Sequence, residues 1–250
     1  MRSGAQSNGS ATMGTAEAGV VLVVAADRRE LAGIMPRSDR LERLPGAFRF
    51  AALAECKGER LLLVAGGVGA AAAAQAVRRA ARMMPLRAVV SAGVCGALAA
   101  ELRCGDIFVA TEVRCLATGD SYAARVPASA LGCHRGRLLT ADRVIATAGE
   151  KRALCREAEA VDMEAAAVAA WAQQAGVSFY AIRVVLDAAE ESFRLDYNRL
   201  WRGDGTFALA GLARALLAQP HQGTVELLRL SRRLRQAAEK LGEFIVGCRF

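Results

Sequence analysis

The segment AVDMEAAAVAAWAQQAGVSFYAIRVVLD, residues 160–187, joins a stretch of good helix formers to an apolar stretch rich in strand formers. Carboxylates stand at the start of the helix. Steps of four, three and four residues place Glu164 on the helix face that should be buried, with Val168, Trp171 and Ala175. Two interpretations of Glu164 stay open: a first-turn acid favoured by the helix dipole behind a capping Asp162, or a functional carboxylate.

Apolar runs and helical segments alternate on both sides of this segment. The apolar runs are VVLVVAA at 20–26, LLLVA at 61–65, AVVSAG at 88–93, DIFVATEV at 106–113 and FYAIRVVL at 179–186. Ala-rich helical segments lie between them, notably at 70–82 and 163–175. Strands buried on both faces and separated by helices indicate an α/β fold with a largely parallel or mixed sheet. We expect one domain over 19–250, after a disordered leader at 1–18.

The composition bears on several functional classes. With 54% hydrophobic and 23% charged residues, the 250-residue chain has the balance of a globular protein. Its formal charge of +8 is spread along the chain without a basic stripe between aromatic residues, so nucleic-acid binding is not indicated. Seven cysteines without a C-x-x-C pair, and only two histidines, predict a reduced cytoplasmic protein with no metal site. No apolar run approaches the roughly 20 residues of a membrane span.

A basic amphipathic helix is predicted at about 225–246. Its apolar positions are Leu227, Leu230, Leu234, Ala238, Leu241 and Ile245. Arginines and a lysine lie on or beside the other face. One interpretation is a helix that docks on its own domain, and the other is a helix that makes peripheral contact with an anionic membrane surface.

Two glycine-rich segments follow predicted strands. In AGGVGAAAAAQA, residues 65–76, the glycines could bring backbone amides to a phosphate, as in a dinucleotide site. The acidic residue expected about 20 positions later is missing, which favours a tight turn over an NAD(P)-dependent oxidoreductase. In SAGVCGAL, residues 91–98, Gly93 and Gly96 allow a ligand to lie against the strand end. Cys95 between them is better interpreted as a buried packing thiol than as a nucleophile.

Asp187 ends the apolar run at 179–186 and precedes AAEE. Desolvation at the end of a buried strand raises the pKa of a carboxyl toward values useful for proton donation, so Asp187 is a candidate general acid. A capping or loop-start aspartate is the alternative. Together with an ionised Glu164 that accepts hydrogen bonds from hydroxyls, a protonated Asp187 would suit cleavage of a ribosyl bond to a purine.

Taken in order, these segments resemble the core motifs of the nucleoside phosphorylase and methylthioadenosine/S-adenosylhomocysteine nucleosidase superfamily. The matching segments are AGGVGAAAAAQA, SAGVCGALAAELRCGDIFVATEV, LLTADRVIA at 138–146 and VDMEAAAVAAWAQQAGVSFYAIRVVLDAAEE at 161–191. The resemblance implies one three-layer α/β domain whose mixed, mostly parallel sheet is partly closed as a barrel and flanked by helices. It also implies a nucleoside substrate, a homodimer or larger homo-oligomer, and no cofactor, with phosphate or water as the co-substrate.

The resemblance implies roles for individual residues. Glu164 would accept hydrogen bonds from the 2′ and 3′ hydroxyls of the ribose, with Met163 packed on the sugar. Asp187 would protonate N7 of the leaving purine. The residues expected beside the base are Val144, Ile145, Gly93, Val94 and Cys95.

The residues that would position the nucleophile are compatible with two different nucleophiles, water and phosphate. Glu30 matches the acid that positions the attacking water in nucleosidases, whereas Arg29 or Gly67 would contact a phosphate. Ser91 and Val94 stand where phosphorylases of the family often carry Arg and Ser, so ordinary phosphate binding is in doubt. A Leu at position 186 replaces the serine that commonly precedes the general acid.

A subgroup is also indicated. The short middle region, LLTADRVIATAGEK at 138–151 and the tail ALLAQPHQGTVELLRLSRRLRQAAEKL at 215–241 look most like the hopanoid-associated phosphorylases. This resemblance implies removal of adenine from adenosylhopane in hopanoid biosynthesis. A methylthioadenosine/S-adenosylhomocysteine-type nucleosidase and a non-catalytic purine-binding relative are the alternatives.

Overall fold

Ten strands form one sheet in the computed structural model, which describes residues 19–46, 48–128, 130, 132–200 and 220–250. The strands are β1 (Val20–Ala25), β2 (Arg40–Arg43), β3 (Phe50–Cys56), β4 (Glu59–Ala65), β5 (Leu86–Ala97), β6 (Ile107–Cys115), β7 (Ser121–Ala123), β8 (His134–Thr140), β9 (Ala160–Asp162) and β10 (Ser178–Asp187). The helices are α1 (Ala70–Met83), α2 (Ala148–Leu154), α3 (Ala165–Ala175), α4 (Tyr197–Leu200) and α5 (Pro220–Gly247). Two 3-10 helices, Arg28–Leu31 and Met35–Arg37, follow β1.

The sheet is closed at one end and open at the other. Strand β10 pairs with both β5 and β6, so β5, β9, β8, β6 and β10 form a five-stranded barrel. Strands β1, β4, β3 and β2 continue outward from β5. The predicted α/β domain with a mixed, partly closed sheet is thus confirmed. Parallel and antiparallel pairings are equal in number, five of each in the described chain, so the sheet is more evenly mixed than expected.

The continuous apolar run of β1 is explained by helices on both faces of the sheet. Val20, Leu22 and Val24 pack in a core with alanines of α1 and α3. Val21 and Val23 point to the other face, where they share a core with apolar residues of α5. Alternate residues of a strand face opposite sides, so both faces require apolar side chains.

The face that helix α3 buries differs from the one that its spacing predicts, although both include Val168. Its buried residues are Ala165, Ala166, Val168, Ala169 and Ala172. Trp171 is half-buried and Ala175 is exposed, because the helix ends at Gly176 with a left-handed cap. The predicted stripe is therefore confirmed for Val168 and for Trp171, which packs against the core, and is wrong at Ala175.

Helix α5 docks on its own domain through its apolar face. The buried residues of this face include Ala237, Ala238, Leu241 and Ile245. The contact with the segment after β1 is so close that a Cβ added at Gly33 would lie 2.1 Å from the carbonyl oxygen of Ala238. A Cβ at Gly242 would likewise lie 2.1 Å from the carbonyl carbon of Gly33. This geometry supports the docking interpretation of the C-terminal segment.

Within the described ranges, none of the helices combines the length and apolar character that crossing a bilayer requires. The predicted leader at 1–18 lies outside the described residues.

Candidate active site

A cavity of about 330 Å³ lies at the ends of β1, β5, β9 and β10. It brings together eight of the predicted site residues, namely Glu30, Val94, Cys95, Val144, Ile145, Met163, Glu164 and Asp187, with Gly96 beside them. Its remaining walls include Leu186, Phe193, Tyr197, Leu230 and Leu234. Residues more than 200 positions apart in the chain therefore form one pocket, as is usual at the ends of strands in open α/β sheets.

Glu30 is positioned by the turn that follows β1. Asp27 caps the 3-10 helix, and its own backbone N–H donates to Glu30 Oε2 at 2.9 Å. The N–H of Val94 donates to Glu30 Oε1 at 3.2 Å, which ties this turn to β5. A Cβ at Gly93 would lie 2.9 Å from Oε1, so glycine leaves the room that the carboxyl occupies. Burial raises the pKa of Glu30 above its usual value.

Glu164 reaches away from its own helix. Its Oε1 accepts a hydrogen bond of 2.7 Å from the N–H of Gly69, just before α1, while Asp162 accepts from the N–H of Ala165 at 2.9 Å. The capping role thus belongs to Asp162. Burial, followed by the nearby charge of Asp162, raises the pKa of Glu164 to about 7. These effects outweigh the helix dipole, so the carboxyl of Glu164 is protonated more readily than the sequence predicts.

The position of Asp187 depends on an irregularity in the pairing of β5 with β10. Val185 pairs with Cys95 and Asp187 pairs with the next residue, Gly96, so Leu186 is an extra residue that lines the cavity. Asp187 Oδ2 forms a buried ion pair with Lys151. Burial raises the pKa of Asp187 above its usual value, while Lys151 acts in the opposite direction.

The loop before α2 offers backbone groups to the cavity. The side chain of Asn198 accepts from the N–H of Val144 at 2.8 Å and donates to its carbonyl at 3.0 Å, which fixes the loop. Among the described residues nothing hydrogen-bonds to the backbone N–H or carbonyl of Ile145, which is 4% exposed. Buried backbone groups of this kind are usually paired, so Ile145 leaves one donor and one acceptor unpaired beside the cavity among the described residues.

A buried arginine holds the floor of the site together. Arg183 forms an ion pair with Asp162, and its guanidinium donates to the carbonyl and hydroxyl of Ser91 at 2.5 and 2.8 Å. Ser91, one of the departures from the family pattern, thus binds Arg183. Burial also raises the pKa of the Cys95 thiol, which supports packing rather than a nucleophilic role.

The structure does not bring Arg29 or Gly67 to the cavity. The side chain of Arg29 is 70% exposed and pairs with Asp27 at 2.9 Å. The N–H of Gly67 donates to the carbonyl of Ala26 at 3.0 Å. With the N–H of Gly69 bound to Glu164, the glycine-rich segment offers neither of these amides to a dinucleotide.

Sequence reasoning missed several residues of the site. They are Lys151, Phe193, Tyr197 and Asn198, with Arg183 beneath the floor. Arg183 carried a signal, because a charged residue inside the apolar run at 179–186 must be paired when it is buried. Lys151 and Asn198 lie in ordinary helical segments, and no feature of the sequence distinguishes them as site residues.

Comparisons with known proteins bear on the family and the fold. A family model described as the phosphorylase superfamily matches residues 19–131 and 121–218. No curated protein sequence matches the chain significantly.

Solved structures share the fold at low sequence identity. The 5′-methylthioadenosine/S-adenosylhomocysteine nucleosidase of Neisseria meningitidis has a TM-score of 0.69 at 19% identity, with 92% of this chain and 97% of that chain covered. The S-adenosylhomocysteine nucleosidase of Streptococcus pyogenes has a TM-score of 0.70 at 18% identity, with 94% and 97% covered. The chain therefore belongs to the phosphorylase superfamily and is an enzyme of that superfamily.

Proposed function

We propose that the enzyme cleaves the N-glycosidic bond of an adenosine-type nucleoside and releases adenine. One observation carries the proposal: Glu164 and Asp187 line the same cavity, and Glu164 Oε2 and Asp187 Oδ1 have no hydrogen-bond partner among the described residues. Each acid is held by its other oxygen, to Gly69 and to Lys151. Two anchored carboxyls with one oxygen free can serve two different parts of a nucleoside.

The chemistry follows from where charge develops. As the glycosidic bond breaks, the ribose gains oxocarbenium character and the purine gains negative charge. Glu164 Oε2 accepts hydrogen bonds from the ribose hydroxyls, and its charge stabilises the cationic sugar. Asp187 Oδ1 donates its proton to N7, so that the base leaves as a neutral molecule. The N–H and carbonyl of Ile145 match the N1 acceptor and N6 donor of adenine.

The charges around the cavity favour water over phosphate as the nucleophile. The acids in the lining are Asp27, Glu30, Asp162, Glu164 and Asp187. The basic residue in the described lining, Arg143, is paired with Glu150 at 2.6 Å. A phosphate anion would meet carboxylates there without a free cation, whereas Glu30 can orient a water.

The apolar walls favour an apolar group on the 5′ side of the substrate. Leu186, Phe193, Leu230 and Leu234 supply them, the last two from α5. We propose a 5′ substituent without charge, with adenosylhopane as the large candidate and methylthioadenosine as the small one. Formation of a homo-oligomer, a cytoplasmic location and peripheral membrane contact also stay proposals. For the last, the described part of α5 leaves Val225 and Leu228 as large exposed apolar residues.

The test is incubation with adenosine, methylthioadenosine and adenosylhopane, each with and without phosphate, while free adenine and the sugar product are measured. We expect adenine and free ribose sugar at a rate independent of phosphate. A sugar 1-phosphate product would overturn the choice of water. Binding without release of adenine would instead identify a non-catalytic purine-binding protein.

Replacing Glu164 by glutamine should reduce kcat/KM about 10- to 150-fold, because hydrogen bonds to a charged group contribute about 1.5–3 kcal/mol. The glutamine carbonyl can still accept from Gly69, so the fold should be unchanged. The loss should be much smaller with a 2′-deoxynucleoside, which lacks one of the hydroxyls. Glu101→Gln, at an exposed position, is the control. Equal losses for both substrates would contradict the ribose-binding role.

The pH dependence of kcat/KM should reflect the ionisation of Glu164. Because the pKa of Glu164 is raised to about 7, its carboxylate form is lost as pH falls through that value. We therefore expect kcat/KM, which reflects the free enzyme, to decline below about pH 7. Glu164→Gln should flatten this acidic limb in steady-state assays of adenine release. An unchanged limb in the variant would assign it to another group.

A further inference from the structure

Lys151 on α2 is a buried cation whose hydrogen-bonding capacity is fully used. Its side chain is 1% exposed. The three N–H groups of its ammonium have three acceptors: Asp187 Oδ2, the carbonyl of Ala188 at 2.7 Å and the carbonyl of Glu191 at 2.9 Å. Burying an ammonium is costly unless it is paired and hydrogen-bonded, and here both conditions are met.

The turn after β10 is held from its other side by α5. Arg233 forms two hydrogen bonds with the carboxylate of Glu191, at 2.6 and 2.8 Å, and a third with the carbonyl of Leu186 at 3.3 Å. The N–H of Ala188 also donates to Glu191, at 3.3 Å. The backbone around Asp187 is therefore fixed by a lysine from one helix and an arginine from another.

We propose that Lys151 is a positioning residue, which holds Asp187 by Oδ2 so that Oδ1 is the oxygen presented to the leaving base. This inference rests on the proposed function. Gly96 completes the arrangement, since a Cβ there would lie 3.1 Å from Asp187 Oδ2. The carboxyl is thus confined between the lysine and the backbone of β5.

The charge of Lys151 has a second effect, on the pH at which Asp187 gains its proton. The titratable and charged groups that face Asp187 come from five elements: Lys151 of α2, Glu191 of the turn after β10, Arg233 of α5, Cys95 of β5 and Cys104 before β6. Lys151 is the one in direct contact with the carboxyl. An adjacent cation lowers a carboxyl pKa by about 1–3 units, so Lys151 limits the rise caused by burial.

Lys151→Met tests both effects, because methionine has a similar length and carries no charge. We expect kcat to fall about 10- to 100-fold, the scale of a misplaced catalytic group, with KM nearly unchanged. A general acid must be protonated, so activity declines as pH rises through its pKa. Removing the cation should move this alkaline limb of kcat upward by about 1–3 pH units. Lys151→Arg keeps the charge and should leave the limb near its wild-type position.

The control is Lys240→Met on α5, since Lys240 is exposed and, within the described part of the chain, bonds only to the carbonyl of Gly105. It should match the wild type in both kcat and pH profile. Loss of activity in Lys151→Met with an unmoved limb, reproduced in Lys151→Arg, would show a structural role only and overturn the inference.

A readout that needs no turnover separates this inference from the proposed function. The carboxyl carbon of Asp187 can be titrated by ¹³C NMR in the wild type, Lys151→Met and Lys151→Arg, with Asp187→Asn identifying the signal. We expect the pKa of Asp187 to be higher than in the wild type in Lys151→Met, and unchanged in Lys151→Arg. A wild-type enzyme that releases no adenine would refute the proposed function, whereas identical titrations in all three proteins would refute the role of Lys151.

Discussion

Asp187→Asn is expected to reduce the release of adenine by about 10²- to 10⁴-fold, the range that general acid catalysis contributes. Asparagine has the size of aspartate, and its amide oxygen can still accept the hydrogen bond from Lys151. It has no carboxyl proton for N7, so the base would have to leave as an anion. Turnover is measured by following free adenine, and KM should change only a few-fold.

Binding and chemistry can be separated in this variant. A nucleoside analogue that resists cleavage should bind Asp187→Asn almost as tightly as the wild type in calorimetric titrations. Asp120→Asn, on the exposed turn between β6 and β7, provides a matched substitution outside the cavity and should retain full activity. Undiminished release of adenine by Asp187→Asn would remove the assignment of the general acid.

Arg183→Met is expected to have the largest effect on stability. Arg183 and Asp162 have side chains that are 1% and 0% exposed, and methionine would leave the carboxylate buried without its cation. Breaking a buried ion pair from one side costs about 3–5 kcal/mol of the free energy of unfolding. The measurement is urea unfolding followed by circular dichroism.

The double variant Arg183→Met, Asp162→Asn should recover part of this loss, because it removes the unpaired charge as well as the cation. Asparagine at 162 can still accept from Thr140, which donates to Asp162 at 2.6 Å in the wild type. Arg60→Met, at an exposed position on β4, should change the free energy of unfolding by about 0.5 kcal/mol or less. A single variant as stable as that control would contradict the importance of the pair.

The fold was predictable where periodicity is strong. The runs at 20–26, 61–65 and 179–186 contain almost the whole of β1, β4 and β10, because strands covered on both faces need apolar residues at every position. Strands β2, β3, β7, β8 and β9 were missed. The four residues of β2 are all exposed, and β9 has only three residues, so neither leaves a pattern in the sequence.

The site was predictable only in part, since contacts between distant segments decide it. Arg29 and Glu30 are neighbours in the sequence and were both candidates for the nucleophile. The hydrogen bonds of Glu30 to Asp27 and Val94 turn it inward, whereas Arg29 pairs with Asp27 outside the cavity. Lys151 is tied to Asp187, 36 positions away, by a contact that only the folded chain reveals.

The contact between Gly33 and Gly242 has a consequence for how sequence variation in this protein should be interpreted. Neither glycine lines the cavity, yet a side chain at either position would overlap backbone atoms across the contact. Helix α5 would then move, and it carries Leu230 and Leu234 in the cavity wall. In a library selected for enzyme activity, these two positions would retain glycine as strictly as Asp187 retains its acid, without taking any part in the chemistry.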